Sequence, residues 1–150
     1  MWIRDWKPED LLAIYRMMGY IPAMDIPDYL DFKDCVINGV FPKMIVAEKD
    51  NKPVGVAIYN TNYTIHGKGY MFLNCLSVET EYRRQGIATE LINELKREAG
   101  RIRADEIGFW VHKENDGAKR FYHELGAKVN LQDKNFIDCF LAVNIQGEEK

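Results

Sequence analysis

Cysteine is scarce. The 150 residues contain three, Cys35, Cys75 and Cys139, an odd set with no CxxC spacing, so neither a disulfide framework nor a zinc site is indicated. His66, His112 and His123 add no ligand spacing, and no metal is expected. Long apolar runs are missing too. No stretch approaches the roughly 18 residues of a membrane helix, and Met1, Trp2, Ile3, Arg4 and Asp5 lack the basic and apolar regions of a signal peptide. A cytoplasmic location with reduced thiols is the expectation. Basic charge is not in surplus either: 20 Lys+Arg stand against 23 Asp+Glu, a net of −3, with a pI near 5.6. Affinity for nucleic acid or a membrane surface rests on surplus Lys and Arg, so both partners are excluded as general targets. The expected partner is small, or itself cationic. Finally, no repeat, low-complexity tract or Gly/Ser/Pro linker interrupts the chain. Residues 1–146 read as one domain and 147–150 as a disordered tail.

What is present alternates between sheet and helix patterns. Ile3 and Arg4 read as a short strand, and Pro8, Glu9 and Asp10 as the first turn of a helix reaching Met18, since proline presets φ and acids suit the positive dipole end. Residues 29–37 form a second helix with an imperfect apolar face. Residues 44–48 and 54–59 are β-rich and flank the turn-forming Asp50, Asn51, Lys52 and Pro53, so they predict an antiparallel hairpin. A long strand follows over 70–78. From Gly86 the period changes: Ile87, Leu91 and Leu95 recur every four residues, and Gly100 is expected to cap the C-terminus. Residues 106–111 predict a strand, Asn115 an N-cap for a helix ended by Gly126, and 136–143 a final strand. The predicted order is β α α β β β α β α β β, an α/β class.

Chemistry is concentrated where the strand ending in Leu76, Ser77 and Val78 turns into a helix through Arg83, Arg84, Gln85, Gly86, Ile87, Ala88 and Thr89. Free N–H groups at a helix N-terminus carry roughly half a positive charge and can cradle a pyrophosphate. Two arginines there oppose the dipole, which points to an anionic ligand, although a solvated basic turn also fits. A second set is Asn115, Ala118 and Tyr122, which share a helix face because seven residues make nearly two turns. Taken alone, Asn115 also reads as an N-cap and Tyr122 as a half-buried core aromatic.

Together these blocks resemble the GNAT superfamily of N-acetyltransferases. Arg83-x-x-Gly86-x-Ala88, after Leu76-Ser77-Val78, is similar to the family's pyrophosphate motif. Asn115-x-x-Ala118-x-x-Phe121-Tyr122-x-x-Leu125-Gly126-Ala127 is similar to its second motif. The resemblance implies a mixed, mostly antiparallel sheet of six to seven strands, helices on both faces, and a fourth and fifth strand that splay. It implies acetyl-CoA as co-substrate, held by main-chain groups of Leu76 and Val78, by Ser77, by residues 83–89 and by Asn115, Ala118 and Tyr122. Acetyl transfer to a primary amine, small or peptidic, would follow by direct attack. The Val78 N–H would stabilise the oxyanion and Tyr122 would serve as acid, since a phenol's pKa of about 10 lies close to that of an alkyl thiol. An acyl-enzyme on Cys75 is disfavoured, because a cysteine in an apolar strand is usually a core residue.

The region from Gly55 to Leu73 resembles the diamine acetyltransferase branch, but Leu73-Asn74-Cys75 stands where that branch has Leu-Glu-Asp, and Phe72 is apolar. The usual base is therefore absent; Asn74 can position a water but cannot take its proton, and Glu79, Glu81 or a water chain could substitute, or the amine could arrive already neutral. On the acceptor side, Asp25, Asp28, Asp31 and Asp34 recur every third residue among Tyr20, Tyr29 and Phe32. Asp28, Tyr29, Asp31 and Phe32 are the candidate amine contacts; the bland alternative is a solvated acidic helix start. Residues 1–50 hold 6 basic and 9 acidic side chains, so the whole acid excess lies in that third. A non-catalytic acyl-CoA-binding regulatory module is the rival reading, an α/β nucleotide-binding domain a third, and a homodimer stays open.

Overall fold

A computed structural model describes residues 1–22, 24–133 and 135–143, so the expected tail at 147–150 lies outside the described residues. Among the described residues seven strands, β1 (Trp2–Asp5), β2 (Lys43–Lys49), β3 (Lys52–Tyr63), β4 (Gly69–Val78), β5 (Glu106–His112), β6 (Lys128–Gln132) and β7 (Phe136–Ala142), run in the order β1-β2-β3-β4-β5-β7-β6. β4 pairs parallel with β5, and the pairs β1–β2, β2–β3, β5–β7 and β6–β7 are antiparallel. The chain divides into two compact units, Met1–Asn60 with Cys75–Glu94, and Thr61–Asn74 with Leu95–Lys150.

The first unit begins with β1 (Trp2–Asp5), which pairs antiparallel with β2 (Lys43–Lys49). Pro8–Asp10 is a 3-10 turn rather than the first α-turn, and α1 (Leu11–Met18) follows directly. Its capping acid is used elsewhere. Asp10 reaches back to accept from the Lys7 N–H (2.7 Å) and takes a two-point bond from Arg4 (2.8 and 3.1 Å), whose Nε also donates to Glu48. One charged knot thus joins β1, β2 and the entrance to α1. The hairpin between β2 and β3 (Lys52–Tyr63) turns on Asp50 and Asn51, both left-handed (φ 54° and 64°). That backbone matches the strand twist, and Asn and Asp tolerate it best after glycine. β3 therefore starts at Lys52, two residues ahead of the predicted strand, with Pro53 inside it.

Alternation along β3 decides which helix lies on which face. Val56 and Ile58, with Met44, Val46 and Cys75, form one core with Leu11, Ile14, Met17 and Met18 of α1 and Phe32 and Val36 of α2 (Tyr29–Ile37). Gly55 points the other way, where a Cβ would stand 2.9 Å from Ile87 Cγ2. Only glycine lets the first turns of α3 (Ile87–Arg101) come so near.

In the second unit the start of β4 (Gly69–Val78) pairs with β5 (Glu106–His112) through Met71, Leu73 and Phe72, opposite Ile107, Phe109 and Gly108. β5 also pairs with β7 (Phe136–Ala142), and β7 with β6 (Lys128–Gln132). α4 (Asp116–Glu124) lays Tyr122 on Phe109, ring centroids 4.1 Å apart. The predicted cap at Gly100 is displaced. The helix runs one residue past it to Arg101, and Arg103 takes the left-handed position (φ 62°), with Ala104 N–H donating to Ala99 O. The Gly126 cap (φ 87°) stands as predicted.

Asp10 supplies the fold's clearest stability prediction. Burial pushes its carboxyl up, but the hydrogen bonds from Arg4 and Lys7 outweigh this and hold it below the usual carboxylate value. A depressed folded pKa contributes stability above the unfolded value near 4 and loses it as pH falls through the folded value. Asp10→Asn should cost about 2 kcal/mol in urea unfolding at pH 7, since it removes the charge from the bonds with Arg4 and Lys7 while Arg4 keeps Glu48. The deficit should shrink at pH 3; an equal deficit at both pH values would refute the assignment.

Candidate active site

Residues at the end of β4 are largely buried. Cys75, Ser77 and Val78 are buried and Leu76 is half-buried. The Ser77 hydroxyl donates to Met17 O (2.8 Å), so it ties β4 to α1. Cys75 is 4% exposed, and burial pushes its thiol up to about 12. A thiolate there is inaccessible at neutral pH, in keeping with a core role.

After Val78 the chain makes a 3-10 turn (Thr80–Tyr82) and then a short exposed run, Arg83 to Gly86, before α3. Arg84 and Gly86 are both left-handed (φ 64° and 81°). Arginine at such an angle is a local strain of the kind found at ligand sites, and successive N–H groups in this geometry turn toward a common point. A Cβ on Gly86 would meet nothing within 4 Å, so glycine is required there for its φ and not for space. Ile87, Ala88 and Thr89 open α3, where N–H groups have no partner within their own helix. Gln85 accepts from Lys49 Nζ (2.7 Å), and Tyr82 donates to Asp50 (2.9 Å), bracing the turn on the β2–β3 hairpin.

Arg83 is partly engaged. Its Nε donates to Val78 O (3.0 Å), and its guanidinium lies over the Tyr20 ring, 5.6 Å from the centroid. Glu79, 8% exposed, accepts from Arg16 and from the Tyr20 hydroxyl (2.8 Å), while its N–H donates to Val54 O. Burial raises the Glu79 carboxyl, but those two hydrogen bonds outweigh it and the net shift is downward. This makes Glu79 a weaker base than a free carboxylate. Nothing in the sequence pattern singled out Arg16, which lies 63 residues away in the chain.

The other candidates fall in separate places. Asn74 is exposed on β4. Asp28 caps α2, accepting from the Asp31 N–H (3.0 Å), and Asp31 is exposed, as a helix start requires. Tyr29 is half-buried, its ring 5.3 Å from that of Tyr15. Phe32 is fully buried against Tyr15, Tyr29 and Phe41, so its ring has no open face and does not stand as an amine contact. In the second unit, Asn115 caps α4 by accepting from the Ala118 N–H (3.1 Å), which uses its carbonyl. Ala118 is half-buried, and Tyr122 is 9% exposed between Phe109 and Phe121. Among the described residues no three His, Cys, Asp or Glu side chains converge on a metal site, and no helix is long and apolar enough to cross a membrane.

Comparison with known proteins identifies the family and the fold. The acetyltransferase (GNAT) family profile matches residues 9–127, and the chain belongs to that family. An uncharacterized N-acetyltransferase of Methanocaldococcus jannaschii is 32% identical over 83 residues, which cover 54% of this chain and 37% of that protein. Similar folds include Arabidopsis thaliana Naa50 with the bisubstrate analogue CoA-Ac-MVNAL (TM-score 0.73, 17% identity, 93% of this chain and 97% of that one). Chaetomium thermophilum Naa20 with a bisubstrate analogue gives 0.72 at 17% identity, covering 95% and 86%. The paia N-acetyltransferase of Thermoplasma acidophilum in complex with coenzyme A gives 0.72 at 19%, covering 94% and 98%.

The Cys75 environment predicts a labelling order. In the folded protein at pH 8, iodoacetamide should modify half-buried Cys35 and spare Cys75 until denaturant is added, as read by peptide mass spectrometry. Equal labelling of the two in the folded state would contradict the buried-thiol account.

Proposed function

We propose that this chain is an N-acetyltransferase that moves the acetyl group of acetyl-CoA to a primary amine. The observation that carries the reading is the turn at Arg84 and Gly86, where two left-handed residues precede an open helix start directly after the β4 terminus. Its exposed N–H groups fit a pyrophosphate, and Arg83 and Arg84 add positive charge. Main-chain groups of Leu76 and Val78 would extend the sheet pattern to the amides of the pantetheine arm, which needs no particular side chain. Asn115 keeps its amide N–H donors for the same arm, because its cap uses the carbonyl.

Direct attack requires a neutral amine, stabilisation of negative charge on the acyl oxygen, and a proton for the departing thiolate. The Val78 N–H is assigned to the oxygen and Tyr122 to the thiolate. Asn74, exposed on β4, would position the water that carries the ammonium proton away. The acid excess in residues 1–50 favours a cationic acceptor, with Asp28, Asp31 and Tyr29 on the acceptor side. A peptide amine is supported by the Naa50 analogue, which joins CoA to a peptide. A non-catalytic acyl-CoA-binding module has one observation in its favour: Phe72 and Asn74 carry no carboxylate, and Glu79 is ion-paired.

Release of free thiol from acetyl-CoA, followed with a panel of amines and short peptides, separates the two. Tyr122→Phe should lower kcat about a hundredfold. Coenzyme binding without turnover on any amine would leave the binding module as the answer.

A further inference from the structure

The carboxylate nearest the end of β4 does not have the surroundings of a general base. Glu79 is buried, its two oxygens are taken by different donors, and both donors come from one segment: Arg16 in the last turn of α1 and Tyr20 just beyond its C-terminus. Its main chain is fixed as well, through the bond to Val54 O on β3. Glu79 is therefore an anchor point on the sheet for the segment that leads from α1 toward Asp25 and Asp28. The half-exposed Tyr20 ring then presents its face to Arg83, and Arg83 Nε closes the circuit on Val78 O. Arg16, Glu79, Tyr20 and Arg83 thus run from α1 to the turn that precedes α3.

We propose that Glu79 is a positioning residue: through Arg16 and Tyr20 it fixes the acceptor-side segment against the end of β4, and through the Tyr20 ring it holds Arg83, which is shared with the coenzyme's phosphates. This rests on the acetyltransferase reading above. Sharing has a distinctive consequence. A guanidinium held by an aromatic face and a carbonyl must leave part of that contact to reach a phosphate, so the ring competes weakly with the coenzyme. A side chain that served only the fold would not improve coenzyme binding when removed.

Three variants test this by coenzyme titration calorimetry and by acceptor kinetics. Glu79→Gln should raise the acceptor KM about tenfold while kcat stays within about threefold and the acidic limb of its pH profile persists. Loss of a hundredfold or more in kcat, with that limb abolished, would make Glu79 the base and overturn the proposal. Tyr20→Ala should tighten coenzyme A binding two- to fivefold, the gain expected when a weak cation–π contact no longer competes. An unchanged or weakened affinity would overturn the sharing of Arg83. Tyr20→Phe, which keeps the ring but loses the hydroxyl bond to Glu79, should tighten coenzyme A binding by less than Tyr20→Ala does; a gain equal to or larger than that of Tyr20→Ala would count against the ring's part. Wild-type protein that binds coenzyme A but acetylates nothing would sink the enzyme reading alone, since the titration arm needs no acceptor.

Discussion

Strand β4 ends at Val78 among buried neighbours, and its chain must leave the sheet before α3 can begin. It does so through a 3-10 turn and two left-handed residues, of which one is an arginine. Holding Arg84 at positive φ costs of order 1 kcal/mol or more, and the surrounding structure has to impose it. Gly55 brings α3 close to β3, and the Tyr82–Asp50 and Lys49–Gln85 contacts hold the turn on the neighbouring hairpin. The result is a helix start whose N–H groups face outward at the end of a strand. The phosphate contact proposed above rests on that backbone arrangement, and on the two φ angles more than on side-chain identity.

Two buried carboxylates in the first unit solve the same electrostatic problem for different ends. Asp10 and Glu79 are each pushed up by burial and brought below their ordinary values by hydrogen bonds, from Arg4 and Lys7 in one case and Arg16 and Tyr20 in the other. The Asp10 knot lies where β1, β2 and the start of α1 meet. Glu79 stands one residue past β4, beside the turn. A buried ion pair adds little net stability compared with an apolar replacement, so its usefulness is in geometry. At Glu79 the geometry fixed is that of Tyr20 and Arg83.

Much of this was legible in the residues themselves. The period of four from Ile87 announced α3, Asn115 and Gly126 bracketed α4, and Asp50 and Asn51 marked the hairpin turn, because each of these signals is local. β6 was counted in the element order but not delimited: Lys128 to Gln132 alternate polar and apolar residues, but the run is five residues long and all its side chains are exposed, so no buried face marks it. The end of α3 was misplaced by Gly100 because a better hydrogen-bonded cap exists three residues on, at Arg103. Phe32 shows a further limit. Its spacing among aspartates placed it beside an acceptor, whereas the fold puts it wholly inside. Arg16 was invisible because its partner is distant in sequence, and no periodicity encodes such a pair.

Amide hydrogen exchange with and without coenzyme A tests the central claim most directly, which is that the β4 terminus and the left-handed turn form the coenzyme's cradle. At a coenzyme concentration about ten times Kd, exchange that requires the free state slows by about tenfold. The account predicts that slowing at residues 84–89 and at residues 76–78 together. Binding that leaves both stretches exchanging at their free rates, or that protects some other helix start instead, would contradict it.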